Sequence, residues 1–246
     1  TYAESPSQVS GLLAAFIPVS VCFALRPLIR MDQALSPNVF SPSNAILFMS
    51  IVTMLYSLLT LYQTHDIRRL TAQVALFHSG ALGVFLWYNP SDDYFYYMLI
   101  SNIAVKSLIF FTLGIFRMDS GARTIDGILE KQALNKTSSI LFISAFSIAF
   151  VVPVSSVFLT DLMIIQMSLV SKYLWGFLVP IISLIFFAIG FHRLLPILNI
   201  PSRGFPETDS TRLRIRVVFA FILLLITIAF GTFGFYVFSI GGLGNV

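Results

Sequence analysis

The chain has 246 residues, 57% of them hydrophobic and 11% charged, with a net charge of +4. A soluble domain carries about 25% charged residues, and mean hydropathy here is +0.88, so the composition excludes a soluble globule and predicts an all-α polytopic bundle in a lipid bilayer. The positive excess then reads as an orientation signal and not as a nucleic-acid footprint, while one cysteine, Cys22, excludes an internal disulfide and a thiolate metal cluster.

The chain opens "TYAESPSQVSG", with no Met and no basic stretch ahead of an apolar run. That is not a signal peptide, and the expectation is that the protein's start is missing or was cut away. Apolar runs predict spans over about 9–25, 44–64, 71–88 and 96–116, then a long stretch over 137–171, then spans over about 174–195 and 213–240. Aromatic residues gather in "FLWYNPSDDYFYY" between the third and fourth spans, as in an interfacial belt. Between spans, "RMDSGARTIDGILEKQALNK" carries mixed charge, and its "TIDGILEKQAL" predicts a short surface helix. The loop over 196–212 holds Pro196, Pro201, Gly204 and Pro206 and reads as a linker or docking strap. No repeat or second domain is visible, so 1–246 is read as a single transmembrane domain.

The 137–171 stretch is too long for one straight span of about 20 residues and tight for two. Taken as one span broken near Pro153, it lets the loop charges alternate. One side then receives Arg26, Arg30 and Lys172. The other receives Arg68, Arg69, Arg117, Arg123, Lys131, Lys136, Arg193, Arg203, Arg212, Arg214 and Arg216. The positive-inside rule therefore predicts about seven spans, a cytoplasmic start and a non-cytoplasmic end. A broken helix is tolerated in lipid only where it packs in protein or lines a wet cavity, a common device of transporters.

Three polar side chains lie deep in predicted spans. Lys106, in "SNIAVKSLIFFTLG", is about 15 Å from either end of its helix, so snorkelling is strained. A charge there costs roughly 2.5–3.5 kcal/mol on insertion scales, which marks it as functional. Asn102 stands one turn earlier on the same face. Asp161 follows the Pro153 break, with Ser155, Ser156 and Thr160 nearby, and a carboxylate beside interrupted backbone suits ion or proton handling. His78, in "ALFHSGALG", reads equally as a satisfied hydrogen-bonder or a relay group, and Gly80 and Gly83 beside it suggest close helix contact. The expectation is a hydrated track between Lys106 and Asp161, bridged by water, with His78 near one end. His65 and His192 fall at span ends and could in principle ligate a haem, but nothing else supports a cofactor pocket. The "NKT" sequon at 135–137 falls in a predicted cytoplasmic loop and is discounted. No phosphate loop, nucleophile elbow, HExxH or CxxC is present, so neither a metal nor a cofactor is expected in this chain.

Several stretches resemble one family. "AESPSQVSGLLAA", "HDIRRLTAQVALFHSG", "SNIAVKSLIFFTLG", "GARTIDGI" and "VVPVSSVFLTDLMI" are similar, in order and spacing, to stretches of antiporter-like proton-translocating subunits. These subunits occur in respiratory complex I, cation/proton antiporter complexes and energy-converting hydrogenases. The acid at Asp161 and the "GARTIDGI" element resemble the hydrogenase-4 or formate hydrogenlyase branch. The resemblance implies a fold of about fourteen helices with two inverted five-helix repeats. This chain would supply its later half, the second repeat over about 43–198 and the last helix over about 213–240. It implies that Lys106 is the central lysine of the second half-channel, Asp161 the exit carboxylate, His78 an accessory relay and Pro153 the helix break. It also implies partners: other integral membrane subunits and a peripheral redox arm bearing iron–sulfur clusters with nickel–iron or flavin centres, in a bacterial or archaeal plasma membrane. The sequence departs from the pattern at Asn102, where the family has histidine, and at Ala14, where some members have one. The first half-channel's lysine and glutamate would precede this chain.

Three functions compete on this reading. The first is a proton-conducting subunit of a redox-driven complex. The second is a non-conducting scaffold in such a complex. The third is a sodium/proton antiporter module, for which no clear oxygen cage is visible.

Overall fold

The computed structural model describes residues 7–35, 41–150, 155–203 and 210–241. They form an all-helical bundle: α1 (Ser7–Leu35), α2 (Pro42–Gln63), α3 (Ile67–Trp87), α4 (Asp92–Ser120), the short α5 (Ile125–Leu129), α6 (Lys136–Ile148), α7 (Ser156–Ser171), α8 (Leu178–Leu194) and α9 (Ser210–Gly241). Among the described residues six helices are long and apolar enough to cross a membrane. The stretch expected to be one broken span consists of two shorter apolar helices, α6 and α7, and Pro153 between them lies outside the described residues. The chain is an integral membrane protein, with α3 and α4 buried over most of their length. Outward faces of α1, α2 and α9 carry side chains such as Phe16, Phe48, Leu59 and Phe219, suited to lipid or to neighbouring subunits.

Side chains cap the starts of α2, α3, α5, α6 and α7, since lipid offers no partner for free N–H groups. Ser41 accepts from Asn44 N at 3.3 Å with Pro42 at the first turn, and Asp66 accepts from the amides of Arg68 and Arg69. Ser155 accepts from Phe158 N at 3.1 Å, starting α7 inside the bundle. Asn135 accepts from Thr137 N at 2.9 Å and Ser138 N at 3.2 Å, starting α6. The sequon asparagine is therefore a buried cap. Asp119, at the end of α4, fixes this corner by accepting from Asn135 N and Ser138 Oγ. Replacing Asn135 with Ala is expected to lower stability by about 1 kcal/mol, the typical value of an N-cap. Thermal unfolding of the purified protein in detergent measures it.

The first helix outruns its predicted end for an identifiable reason. The first span was expected to stop at 25, yet α1 continues to Leu35 through Arg26 and Arg30. Both guanidinium groups bond Asp92 at the start of α4. Arg26 also donates to the Pro90 carbonyl at 3.0 Å and lies 3.9 Å over the Phe95 ring. Neutralised in this way, Arg26 is buried in the helix and does not end it. The predicted surface helix, in contrast, is only the five residues of α5, capped by Thr124. Beyond it Leu134–Asn135 pairs in parallel with Ser202–Arg203, so this part of the predicted strap docks on the loop that follows α5.

The loops collect at two ends. At one end Arg26 and Arg30 meet Asn89, Pro90 and Asp92, and Tyr88 bonds Ser168 Oγ, Tyr173 O and Gly176 N. At the other, His65 pairs with Asp126, the chain bridges Asp66 to Thr124, and Arg193 donates to the Leu61 carbonyl. His65 is thus committed to a carboxylate, and among the described residues no cluster of His, Cys, Asp or Glu could hold a metal.

Candidate functional site

Lys106 faces inward from the middle of α4 and is 1% exposed. Its Nζ donates to Ser79 Oγ on α3 at 3.0 Å, and Ser79 Oγ donates on to the Ala75 carbonyl at 2.8 Å. An ammonium has three donors, and Ser79 takes one of them.

One turn before Lys106, Asn102 lines a cavity of about 10 Å³, room for roughly one water molecule. Asp161 and Thr160 of α7, His78 of α3 and Ser101 of α4 line it too. Phe77, Ala81, Met98 and Val157 close it with apolar surface. Thr160 spends its hydroxyl on the Val157 carbonyl at 2.6 Å. His78 is fully packed, its Nε2 3.0 Å from the Ala149 carbonyl at the end of α6. Its Nδ1 and the Asn102 Oδ1 are buried with no hydrogen-bond partner.

Three of the four side chains singled out from the sequence thus share one cavity: His78, Asn102 and Asp161. The fourth, Lys106, adjoins it along α4 and is tied to α3 next to His78. His78 lines the cavity with Asp161, its sequence neighbour Ser79 holds Lys106, and its own ring bonds the end of α6. Among the described residues no ion pair within 4 Å joins Lys106 to Asp161. Ser79 carries no distinguishing sequence signal, since hydroxyls are common in apolar helices that satisfy them internally, as the Ala75 carbonyl does here. The neighbour of His78 in "FHSG" was the one available clue to Ser79.

This arrangement sits on a known fold. No protein-family model and no curated protein sequence matches the chain. Solved structures do. A chain of the membrane-bound sulfane sulfur reductase, an archaeal respiratory membrane complex, superposes with a TM-score of 0.68 at 14% identity. The match covers 92% of this chain and 47% of that one. A chain of the Mrp complex from Dietzia sp. DQ12-45-1b gives 0.62 at 15% identity, covering 80% of this chain and 45% of that one. A chain of respiratory complex I from Thermus thermophilus gives 0.55 at 16% identity with the same coverage. The fold is that of polytopic subunits in such membrane complexes, and the chain spans about half the length of the chains it matches.

Proposed function

We propose that the protein is a proton-translocating membrane-arm subunit of a redox-driven complex of the antiporter-like type, in the hydrogenase-4 or formate hydrogenlyase branch. One observation carries this reading: a fully buried lysine adjoins a cavity that a buried aspartate, an asparagine and a histidine share, at the gap between two half-length helices. An ammonium and a carboxylate near each other are net neutral, and so are the amine and carboxylic acid left after one proton passes between them. Neither state leaves a lone charge in lipid, so the transfer avoids the large desolvation cost that forbids isolated ions there. Asn102 cannot bind and release a proton, so a water in the cavity bridges the gap in this reading. Partners are further membrane subunits and a peripheral arm carrying iron–sulfur clusters with a nickel–iron or flavin centre. The membrane is a bacterial or archaeal plasma membrane, with the chain's start on the cytoplasmic side.

The small size of the cavity favours a second reading, a non-conducting scaffold. Asp161→Asn separates the two. The amide keeps shape and hydrogen bonding but cannot exchange a proton, so the proton-to-electron ratio in proteoliposomes is expected to fall with assembly intact. An unchanged ratio leaves the scaffold.

A further inference from the structure

The gap between α6 and α7 poses a problem that α3 solves. The last four carbonyls of a helix have no partner within it, and hydrocarbon supplies none. At the end of α6 the Ala149 amide bonds back to Ala145 and Phe146, and the Phe150 amide bonds to Ser147. The Ala149 carbonyl finds its donor 71 positions away in sequence, at His78 Nε2.

We propose that His78 is a positioning residue that latches the interrupted helix: its Nε2–H holds the Ala149 carbonyl and so fixes its Nδ1 as an acceptor facing the cavity of Asn102 and Asp161. A carbonyl only accepts, so Nε2 carries the hydrogen, and in a neutral imidazole Nδ1 is then a bare lone pair. That atom is buried without a partner, as is Asn102 Oδ1. Two unpaired acceptors around a space of one water require a hydrogen donor between them, which the unpartnered Ser101 hydroxyl in the same cavity, a water or the acid form of Asp161 supplies. Ring packing keeps the imidazole in place. Phe150, one residue past Ala149, lies 5.2 Å from the His78 ring and 4.9 Å from Phe186 of α8, and Phe77 packs on both phenyl rings. Moving the end of α6 therefore turns the imidazole, and turning the imidazole frees the end of α6. The latch stands on this geometry alone; its bearing on proton transfer rests on the relay reading above.

The test uses the assembled membrane complex with His78→Gln, His78→Asn and His78→Leu. The Gln amide nitrogen reaches the place of Nε2; the Asn amide falls short of it; Leu offers no donor. Hydrogen–deuterium exchange is followed in a peptide covering 146–150. Gln is expected to keep wild-type protection, while Asn and Leu exchange about tenfold faster, as loss of one buried hydrogen bond implies. If Asn and Leu fail to assemble while Gln assembles, the rescue supports the latch equally. Gln that exchanges as fast as Leu or fails to assemble, or Leu that keeps full protection, overturns it. Lys106→Met with an unchanged pumping ratio removes the relay reading and leaves these outcomes as they are.

Discussion

Lys106→Met is expected to abolish proton pumping in reconstituted complexes while electron transfer continues and the complex stays assembled. Met is unbranched like the lysine stem, one atom shorter, and carries no charge. The ammonium is the residue's one expensive feature, at roughly 2.5–3.5 kcal/mol in the middle of a helix in lipid. Removing it leaves Ser79 bonded to the Ala75 carbonyl, so no buried hydroxyl is orphaned. Stability should therefore hold or rise, and function should vanish. That combination identifies a residue kept for chemistry. Lys106→Arg sharpens the test: guanidinium keeps the positive charge but does not release its proton. Arg is expected to be as inactive as Met, although it presents the same sign of charge to Asp161. The proton-to-electron ratio and the thermal midpoint, measured on the same preparations, settle both parts. Pumping that survives in either variant would sink the relay.

What the sequence disclosed follows from contrast. A lysine or an aspartate stands out in an apolar run because lipid penalises it, so Lys106 and Asp161 were legible, and so were the spans around them. The division of 137–171 into two halves was legible because its length fits neither one span nor two. Partners without such contrast were not. Ala149 contributes a backbone carbonyl, which no side-chain pattern reports, and Ser79 is one hydroxyl among many. The long α1 was hidden because Arg26 looks like a loop residue until Asp92 and Phe95, more than sixty positions away, come beside it. Asp119 read as part of a mixed-charge loop, yet it is buried and holds the start of α6, through contacts that exist only after the chain has turned back on α4. Local pattern thus located the charges, and the long-range contacts that position them had to come from the packed structure.

Gly80→Val is expected to give the largest loss of stability, because the side chain would have to enter backbone. On α2, Ser43, Leu47, Ser50, Met54, Ser57 and Leu61 form the face turned to α3. Two of the serines turn their hydroxyls back on their own helix, Ser50 to the Ile46 carbonyl at 2.6 Å and Ser57 to the Met54 carbonyl at 2.7 Å, so α3 can approach closely. A Cβ at Gly80 would lie 2.8 Å from the Ser50 carbonyl oxygen, 2.6 Å from Met54 Cγ and 3.2 Å from Met54 N. Met54 can swing its side chain aside, but the two backbone atoms cannot yield unless α2 moves as a body. Overpacking of this kind costs about 3 kcal/mol. It would also shift His78 and Ser79, which lie just before Gly80 on α3. Gly83 provides the control. Its added Cβ would meet Ser50 Oγ and Cβ, side-chain atoms only. Gly83→Ala alone should destabilise, and Ser50→Gly should restore it; the same Ser50→Gly should not rescue Gly80→Val, whose clash is with backbone that glycine retains. Thermal unfolding of the four variants in detergent measures the difference, and a Gly80→Val protein as stable as wild type would show that α2 and α3 are not in this close contact.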